Sequence, residues 1–309
     1  MTTPLPIVAV VGPTATGKSD LGVALAHAVG GEVVNADASQ LYRGMDIGTA
    51  KLTVAEREGV PHHLLDVLDV RDEASVAAYQ RDARAAIAAI RERGNVPIFV
   101  GGSGLYLRAA LDDLRIPPTD AAVRARWEER LDQLGPDALH RELTAMDPKA
   151  AAQIPSANGR RVVRALEVIE LTGQPFSATM PTREFVAPTV LLGLRIDRPT
   201  LRARIATRID RMWRAGLLDE VRELDRHGLR EGRTASRAIG YAQALQQLDG
   251  VLTEQQAKDE TAALTRKFAK RQRSWFRPDT RIHWVEYDAP DLFEQSLAVV
   301  RATDVSSRP

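Results

Sequence analysis

The chain of 309 residues contains no cysteine. A disulfide scaffold, a thiolate nucleophile and a thiolate-ligated zinc site are therefore excluded. Long apolar runs are also missing. Residues 1–6 carry no basic group, and the first apolar run, Ile7 to Val11, is only five residues long. A signal-peptide core or a membrane helix needs more than this. The expectation is a cytoplasmic protein without a membrane partner. Neither sign of charge dominates, since 42 Lys+Arg stand against 41 Asp+Glu for a formal net charge of +1. There is no internal repeat and no low-complexity tract. With 44% hydrophobic and 27% charged residues, the composition is that of an ordinary globular protein. The length suits one large domain or two smaller ones.

The neutral total hides a local excess. Residues 200–277 carry 17 basic and 10 acidic groups, or +7, while 1–100 and 278–309 are each at −3. A region that binds a polyanion is compatible with such a distribution.

Ile7 to Val11 reads as a strand covered on both faces, as in a parallel sheet. A glycine-rich turn follows, then a helical pattern over Ser19 to Val29. Further strands are predicted at Glu32 to Ala36, Val96 to Val100 and Val190 to Ile196, and a helix at Val76 to Arg93. This alternation predicts a three-layer α/β domain of the P-loop NTPase-like kind, built on a parallel sheet. After Pro117-Pro118 the pattern becomes helical, with amphipathic segments at Asp120 to Leu134 and Gly159 to Thr172. An all-helical insertion over 118–188 is expected, with 1–117 and 189–309 forming the core. Pro199 to Gly216 and Glu254 to Arg277 read as long helices of that core.

Gly12, Pro13, Thr14, Ala15, Thr16, Gly17, Lys18 and Ser19 fit G-x-x-x-x-G-K-[ST] at every fixed position, between a buried strand and a helix. Backbone N–H groups of such a loop and of the helix N-terminus form an anion nest. Lys18 adds a full positive charge, and the Ser19 hydroxyl can ligate Mg²⁺. The chain thus binds a di- or triphosphate. A P-loop phosphotransferase normally has a second strand ending in Asp to hold the metal. Here the strand Val96 to Val100 runs into Gly101-Gly102-Ser103-Gly104, without an acid. The nearest candidate is Asp37. Asp37 and Ser103 both fall at strand carboxyl ends, where α/β sheets place their ligands. On position alone, Asp37 also suits a cap or turn residue and Ser103 a turn.

Several blocks, taken together, resemble the tRNA dimethylallyltransferase (IPP transferase) family. They are the loop Gly12 to Ser19, the stretch Asn35 to Lys51, Val100 to Tyr106, Arg161 to Val168, Arg237 to Tyr241, and Thr265 to Gln272. They run in the family's order across residues 7–277, and the stretch from Tyr42 to Lys51 is the most specific. The resemblance implies transfer of a dimethylallyl group from its diphosphate to the exocyclic N6 amine of adenosine 37, in tRNAs reading codons that begin with U. The P-loop would hold the isoprenoid diphosphate with Mg²⁺, and no γ-phosphoryl transfer would need support. Without the resemblance, a small-molecule phosphotransferase is the alternative.

The family implies catalytic roles for three residues: Asp37 as general base, Ser103 beside the reacting amine, and Arg237 on the diphosphate. At 103 the family usually has threonine, so the methyl is lost and the hydroxyl kept. At Ala242 many members carry a basic residue that this chain lacks. The tRNA contacts implied by the resemblance are Asp37, Ala38, Ser39 and Gln40; Arg160, Arg161 and Arg164 on the insertion; Gly240 and Tyr241; and Lys267, Lys270, Arg271, Gln272, Trp275 and Arg277. The last group lies in an acid-free segment, Arg266 to Arg277, with interleaved Phe268, Trp275 and Phe276. Cations with aromatics suit phosphate contact plus base stacking, although a solvated helix face has the same pattern. A base in an anticodon loop must be unstacked to be modified. A monomer binding one tRNA meets these needs. The pair His62-His63 reads as structural, because adjacent residues do not easily ligate one ion from a regular element.

Overall fold

A computed structural model describes residues 6–179 and 183–306. The chain opens with β1 (Ile7–Val11), α1 (Lys18–Val29), β2 (Gly31–Asn35) and β3 (His62–His63). Next come α2 (Val76–Glu92), β4 (Val96–Val100) and α3 (Gly104–Leu111). Four helices follow: α4 (Ala121–Leu134), α5 (Pro136–Met146), α6 (Pro148–Ala151) and α7 (Gly159–Thr172). The sheet resumes at β5 (Thr189–Arg195). After it come α8 (Arg198–Arg214), α9 (Leu217–Arg226), α10 (Tyr241–Leu248), α11 (Glu254–Phe276), β6 (Ile282–Glu286) and α12 (Leu292–Ser306). Among the described residues no helix is long and apolar enough to cross a membrane.

The six strands form one parallel sheet in the order β3-β2-β4-β1-β5-β6. Successive side chains of β1 face opposite sides. Val8 and Val10 pack with Leu21 and Leu25 of α1 and Val300 of α12. Ile7, Ala9 and Val11 pack with Ala83 and Ile87 of α2 and Leu107 of α3. Both faces are covered, so β1 is apolar throughout and shows no alternation. A third cluster, around Ile205, Ile209, Trp213, Val221 and Tyr241, joins α8 to α11 with Tyr42 and Met45.

Register brings the strand ends together. Val10 pairs with Val100, and Val100 with Asn35. The loops after β1, β2 and β4 therefore start at one level of one sheet edge. The Ala36 N–H donates to the Val100 carbonyl at 2.9 Å, and the Gly101 N–H to Val10 at 3.2 Å.

The chain divides into two compact units, 1–111 with 185–309, and 112–184. The second unit begins where α3 ends and closes before Phe185, which packs with the sheet core. Its boundaries thus lie a few residues ahead of the expected 118 and 188. Its own core holds Trp127, Leu139, Leu143, Ile154, Val162 and Leu166. Glu167, fully buried on α7, ties the segment leading into α4 to this core. It accepts from the Thr119 hydroxyl (2.7 Å), the Asp120 N–H (3.0 Å), Arg124 (2.8 Å) and Arg164 (2.8 Å). Burial alone would raise its pKa. Hydrogen bonds from Arg164, Thr119 and Arg124 outweigh that and draw it down to about 2.

Candidate active site

The loop between β1 and α1 has a backbone shape that few residues allow. Gly12 sits at φ 137°, and a Cβ there would stand 2.9 Å from the Leu194 carbonyl oxygen. Ala15 and Gly17 are also left-handed, at φ 64° and 84°. The Thr16 hydroxyl and Lys18 Nζ both donate to the Pro13 carbonyl, at 2.9 and 2.6 Å. Ser75, Asp120, Asp197 and Thr253 cap the helices that follow them with their side chains. α1 has no such cap, so its first-turn N–H groups stay open to an anion.

Other elements brace this loop from outside. The Gln272 amide accepts from the Thr14 N–H at 2.9 Å and donates to the Gly102 carbonyl at 3.1 Å. One buried side chain of α11 thus clasps the loops after β1 and β4. From α8, Arg208 donates to the Thr14 hydroxyl (3.0 Å) and Arg204 to the Ala15 carbonyl (2.7 Å). Burial, and then the charge of Arg208, lower the Lys18 pKa to about 7, with Asp37 acting in the opposite sense. Burial also lowers Arg208, and again Asp37 opposes it. Lys18 and Arg208 thus crowd together, with Arg204 adding to the positive charge and Asp37 and Asp20 opposing it, an arrangement suited to a polyanionic ligand.

Asp37 follows β2. Its N–H donates to Asn35 Oδ1 and its own Oδ1 accepts from the Ser39 N–H, both at 2.9 Å. Its other carboxylate oxygen accepts no hydrogen bond from a described residue. Ser103 faces it across the strand ends: its N–H donates to the Ala36 carbonyl at 3.1 Å, and its Oγ accepts from the Ala38 N–H at 3.3 Å. The space is tight, because a Cβ on Gly102 would lie 1.9 Å from Gln272 Nε2. Behind Asp37, Tyr79 donates to the Asn35 carbonyl at 2.8 Å and stacks at 4.3 Å on Tyr106. Burial raises the Tyr79 and Tyr106 phenols, the latter to about 12, and the Asp37 charge adds to both.

The segment 42–51 is held by two charged residues. Lys51 Nζ is buried and donates to the Tyr42 carbonyl (2.9 Å), Asp46 (2.6 Å) and Asp66 (2.6 Å). Glu220 of α9 accepts from three successive N–H groups, Asp46 (3.2 Å), Ile47 (2.7 Å) and Gly48 (3.3 Å). It also accepts from the Tyr241 hydroxyl at 2.6 Å.

The residues expected at an RNA fall into two groups. Lys267, Lys270, Arg271, Trp275 and Arg277 are exposed along and just beyond α11, and Arg160 and Arg161 are exposed on α7. Others are engaged inside the protein. Tyr241 is fully buried against Glu220, and Gly240 is buried with its N–H on Gln243 at 3.0 Å. Gln272 clasps the two loops. Arg164 donates to Glu167 and to the Pro117 and Pro118 carbonyls. Gln40 donates to the Thr49 carbonyl at 3.1 Å. Arg237, at the end of a short 3₁₀ turn (Ala235–Arg237), is exposed, and its side chain makes no hydrogen bond or ion pair with a described residue.

The site has close counterparts. Residues 40–279 match the model of the family described as IPP transferase. The tRNA dimethylallyltransferase of Kineococcus radiotolerans is 63% identical, with 98% of each chain covered. That of Thermobifida fusca is 60% identical over 95% of this chain and 94% of the relative. The chain belongs to the IPP transferase family. Among solved structures, the tRNA isopentenylpyrophosphate transferase of Bacillus halodurans superposes with a TM-score of 0.72 at 39% identity, covering 98% of this chain and 97% of that one. A eukaryotic dimethylallyltransferase captured acting on tRNA gives a TM-score of 0.83 at 28% identity, over 99% of this chain and 80% of the other.

For an IPP transferase, the residues that sequence reasoning missed are Arg204, Arg208 and Glu220. Each contacts a loop more than 170 residues away, so no local motif marks them. The excess of +7 over 200–277 is the only trace of the two arginines. His62 and His63 form β3 against β2, and His63 pairs with buried Glu32 at 2.6 Å. Among the described residues no group of three His, Asp or Glu could hold a metal. Mg²⁺ fits such a site by another route. The Ser19 hydroxyl makes no hydrogen bond with a described residue, and Mg²⁺ commonly takes few protein ligands while keeping waters and substrate phosphates.

Proposed function

We propose that this chain transfers the dimethylallyl group of dimethylallyl diphosphate to the N6 amine of adenosine 37 in tRNAs reading codons that begin with U. The product is N6-(dimethylallyl)adenosine. The observation that carries the reading is one shared site: an uncapped phosphate loop with Lys18 and Arg208, and Asp37 acting on both cations through its charge.

An adenine amine is a weak nucleophile, because its lone pair is delocalised into the ring. As N6 bonds to the allylic carbon, the bond from that carbon to the diphosphate oxygen breaks. The N6 proton passes to the free oxygen of Asp37. Ser103, beside Asp37, positions the amine. Negative charge develops on the departing oxygen, where the loop N–H groups, Lys18, Arg208 and Arg237 stabilise it. When bound, Mg²⁺ at Ser19 would supply further neutralisation of the diphosphate. No acid follows β4, which suits a diphosphate leaving group better than γ-phosphoryl transfer. Arg160, Arg161, Lys267, Lys270, Arg271, Trp275 and Arg277 hold the anticodon stem-loop. The enzyme works as a cytoplasmic monomer on one tRNA.

Incubation with Mg²⁺, radiolabelled dimethylallyl diphosphate and unmodified tRNA with adenosines at 36–38 tests this. Label in the RNA at adenosine 37 is expected. Phosphoryl transfer from ATP to a small molecule, with unlabelled RNA, would replace it with the phosphotransferase reading.

A further inference from the structure

The P-loop does not account for a second group of cations close to it. Beside it lies a cleft of about 830 Å³, reaching from Pro13 to Trp284 between α8 and α11. Leu194, Ile196, Leu201 and Ile205 give it an apolar floor, and no acidic residue lines it. From α11 and just beyond it, Arg266, Lys267, Lys270, Arg273 and Arg277 line the cleft. Arg198 and Arg202, one helical turn apart on α8, line the opposite wall and are exposed. None of these seven cations makes an ion pair with a described residue. In a chain with 41 acidic groups, such a gathering of unpaired charge is a cost to the folded state unless a polyanion relieves it.

We infer that this cleft is a two-walled track for the phosphodiester backbone of the RNA, with Arg198 and Arg202 as its second wall. The dimensions favour a strand. The α11 row, from Arg266 to Arg277, spans about 16 Å at 1.5 Å per residue. That length exceeds a diphosphate and suits several successive phosphates of one strand. A free diphosphate would engage two or three cations at one end and leave the rest unpaired. The α8 wall also places RNA phosphates next to Arg204 and Arg208, two and six residues further along that helix, which brace the P-loop. Backbone docking and the diphosphate site thus share one helix.

The inference rests on the functional reading above, and the experiment separates the two. Binding of unmodified tRNA is measured from 50 to 300 mM salt for the wild type and for Arg198→Gln/Arg202→Gln. An Arg222→Gln/Arg226→Gln control removes equal charge from two arginines of α9 that already have acidic partners. The cleft variant should bind tRNA about tenfold or more weakly at the low-salt end, with the slope of log K against log salt reduced by about 1.5. Each lost phosphate contact removes about 0.7 to 0.9 from that slope. The control should keep the wild-type slope, and the KM for dimethylallyl diphosphate should not change in either. An unchanged slope in the cleft variant overturns the inference. So does an unchanged tRNA affinity with a raised KM for the diphosphate, which would make the cleft a donor or nucleotide site. Failure of the wild type to bind tRNA at any salt would instead defeat the functional reading itself.

Discussion

Single residues at this site act through contacts that a motif does not reveal. Gly102 belongs to a glycine-rich turn, and its lack of a side chain lets the Gln272 amide reach both Gly102 and Thr14. Gly102→Ala should push that amide away and loosen the P-loop. We expect the KM for dimethylallyl diphosphate to rise about tenfold while tRNA affinity is kept; steady-state kinetics with each substrate varied would show it. Equal loss of both affinities would contradict the clasp. Arg208→Gln removes one of the two cations beside Asp37. It should lower kcat/KM for the diphosphate by about 10²-fold, the order reported for losing one charge-stabilising donor, with the tRNA Kd unchanged. The P-loop, Asp37 and Ser103 were legible from the sequence because each stands within a few residues of a strand end. Arg208 and Glu220 were not, because their partners are distant in the chain. Tyr241 and Gln272 show the converse. Both stand in blocks that resemble the family, yet burial makes their role one of holding loops in place.

Elements were readable in proportion to their periodicity. β1, β4 and β5 are short apolar runs, and each is buried on both faces. β6 was missed because Ile282–Glu286 mixes exposed polar and buried apolar residues at the sheet edge. α3 was missed because it begins at a glycine inside a glycine-rich turn. The insertion could be recognised as helical, but its anchor could not. Glu167 sits in an amphipathic helix, and nothing in the sequence says that Thr119, Arg124 and Arg164 converge on it. Glu167→Gln leaves those cations without a counter-charge. It should destabilise the 112–184 unit by about 2–3 kcal/mol, allowing for the partial exposure of the arginines. Hydrogen exchange on α4 and α7 would report it. The pH dependence has a definite sign. The folded pKa of about 2 lies below the ordinary glutamate value of 4.5. This stabilisation is therefore present above pH 4.5 and is lost as pH falls toward 2. The Gln variant should lack that part of the acid sensitivity. If wild type and variant lost structure in parallel between pH 5 and 2, Glu167 would not be the anchor.

At the scale of the whole molecule, a parallel sheet brings three loops to one edge, and the helices α8 to α11 supply cations around them. The balanced total charge of +1 conceals this arrangement, because acidic groups elsewhere offset the cationic cleft. The central claim is that Asp37 accepts the amine proton beside a bound diphosphate. Single-turnover transfer from labelled dimethylallyl diphosphate to unmodified tRNA, compared between wild type and Asp37→Asn, tests it most directly. Loss of a positioned general base should slow transfer by about 10²- to 10⁴-fold, with the Kd values for tRNA and for the diphosphate within about threefold of wild type. Transfer at the wild-type rate by Asp37→Asn would contradict the account.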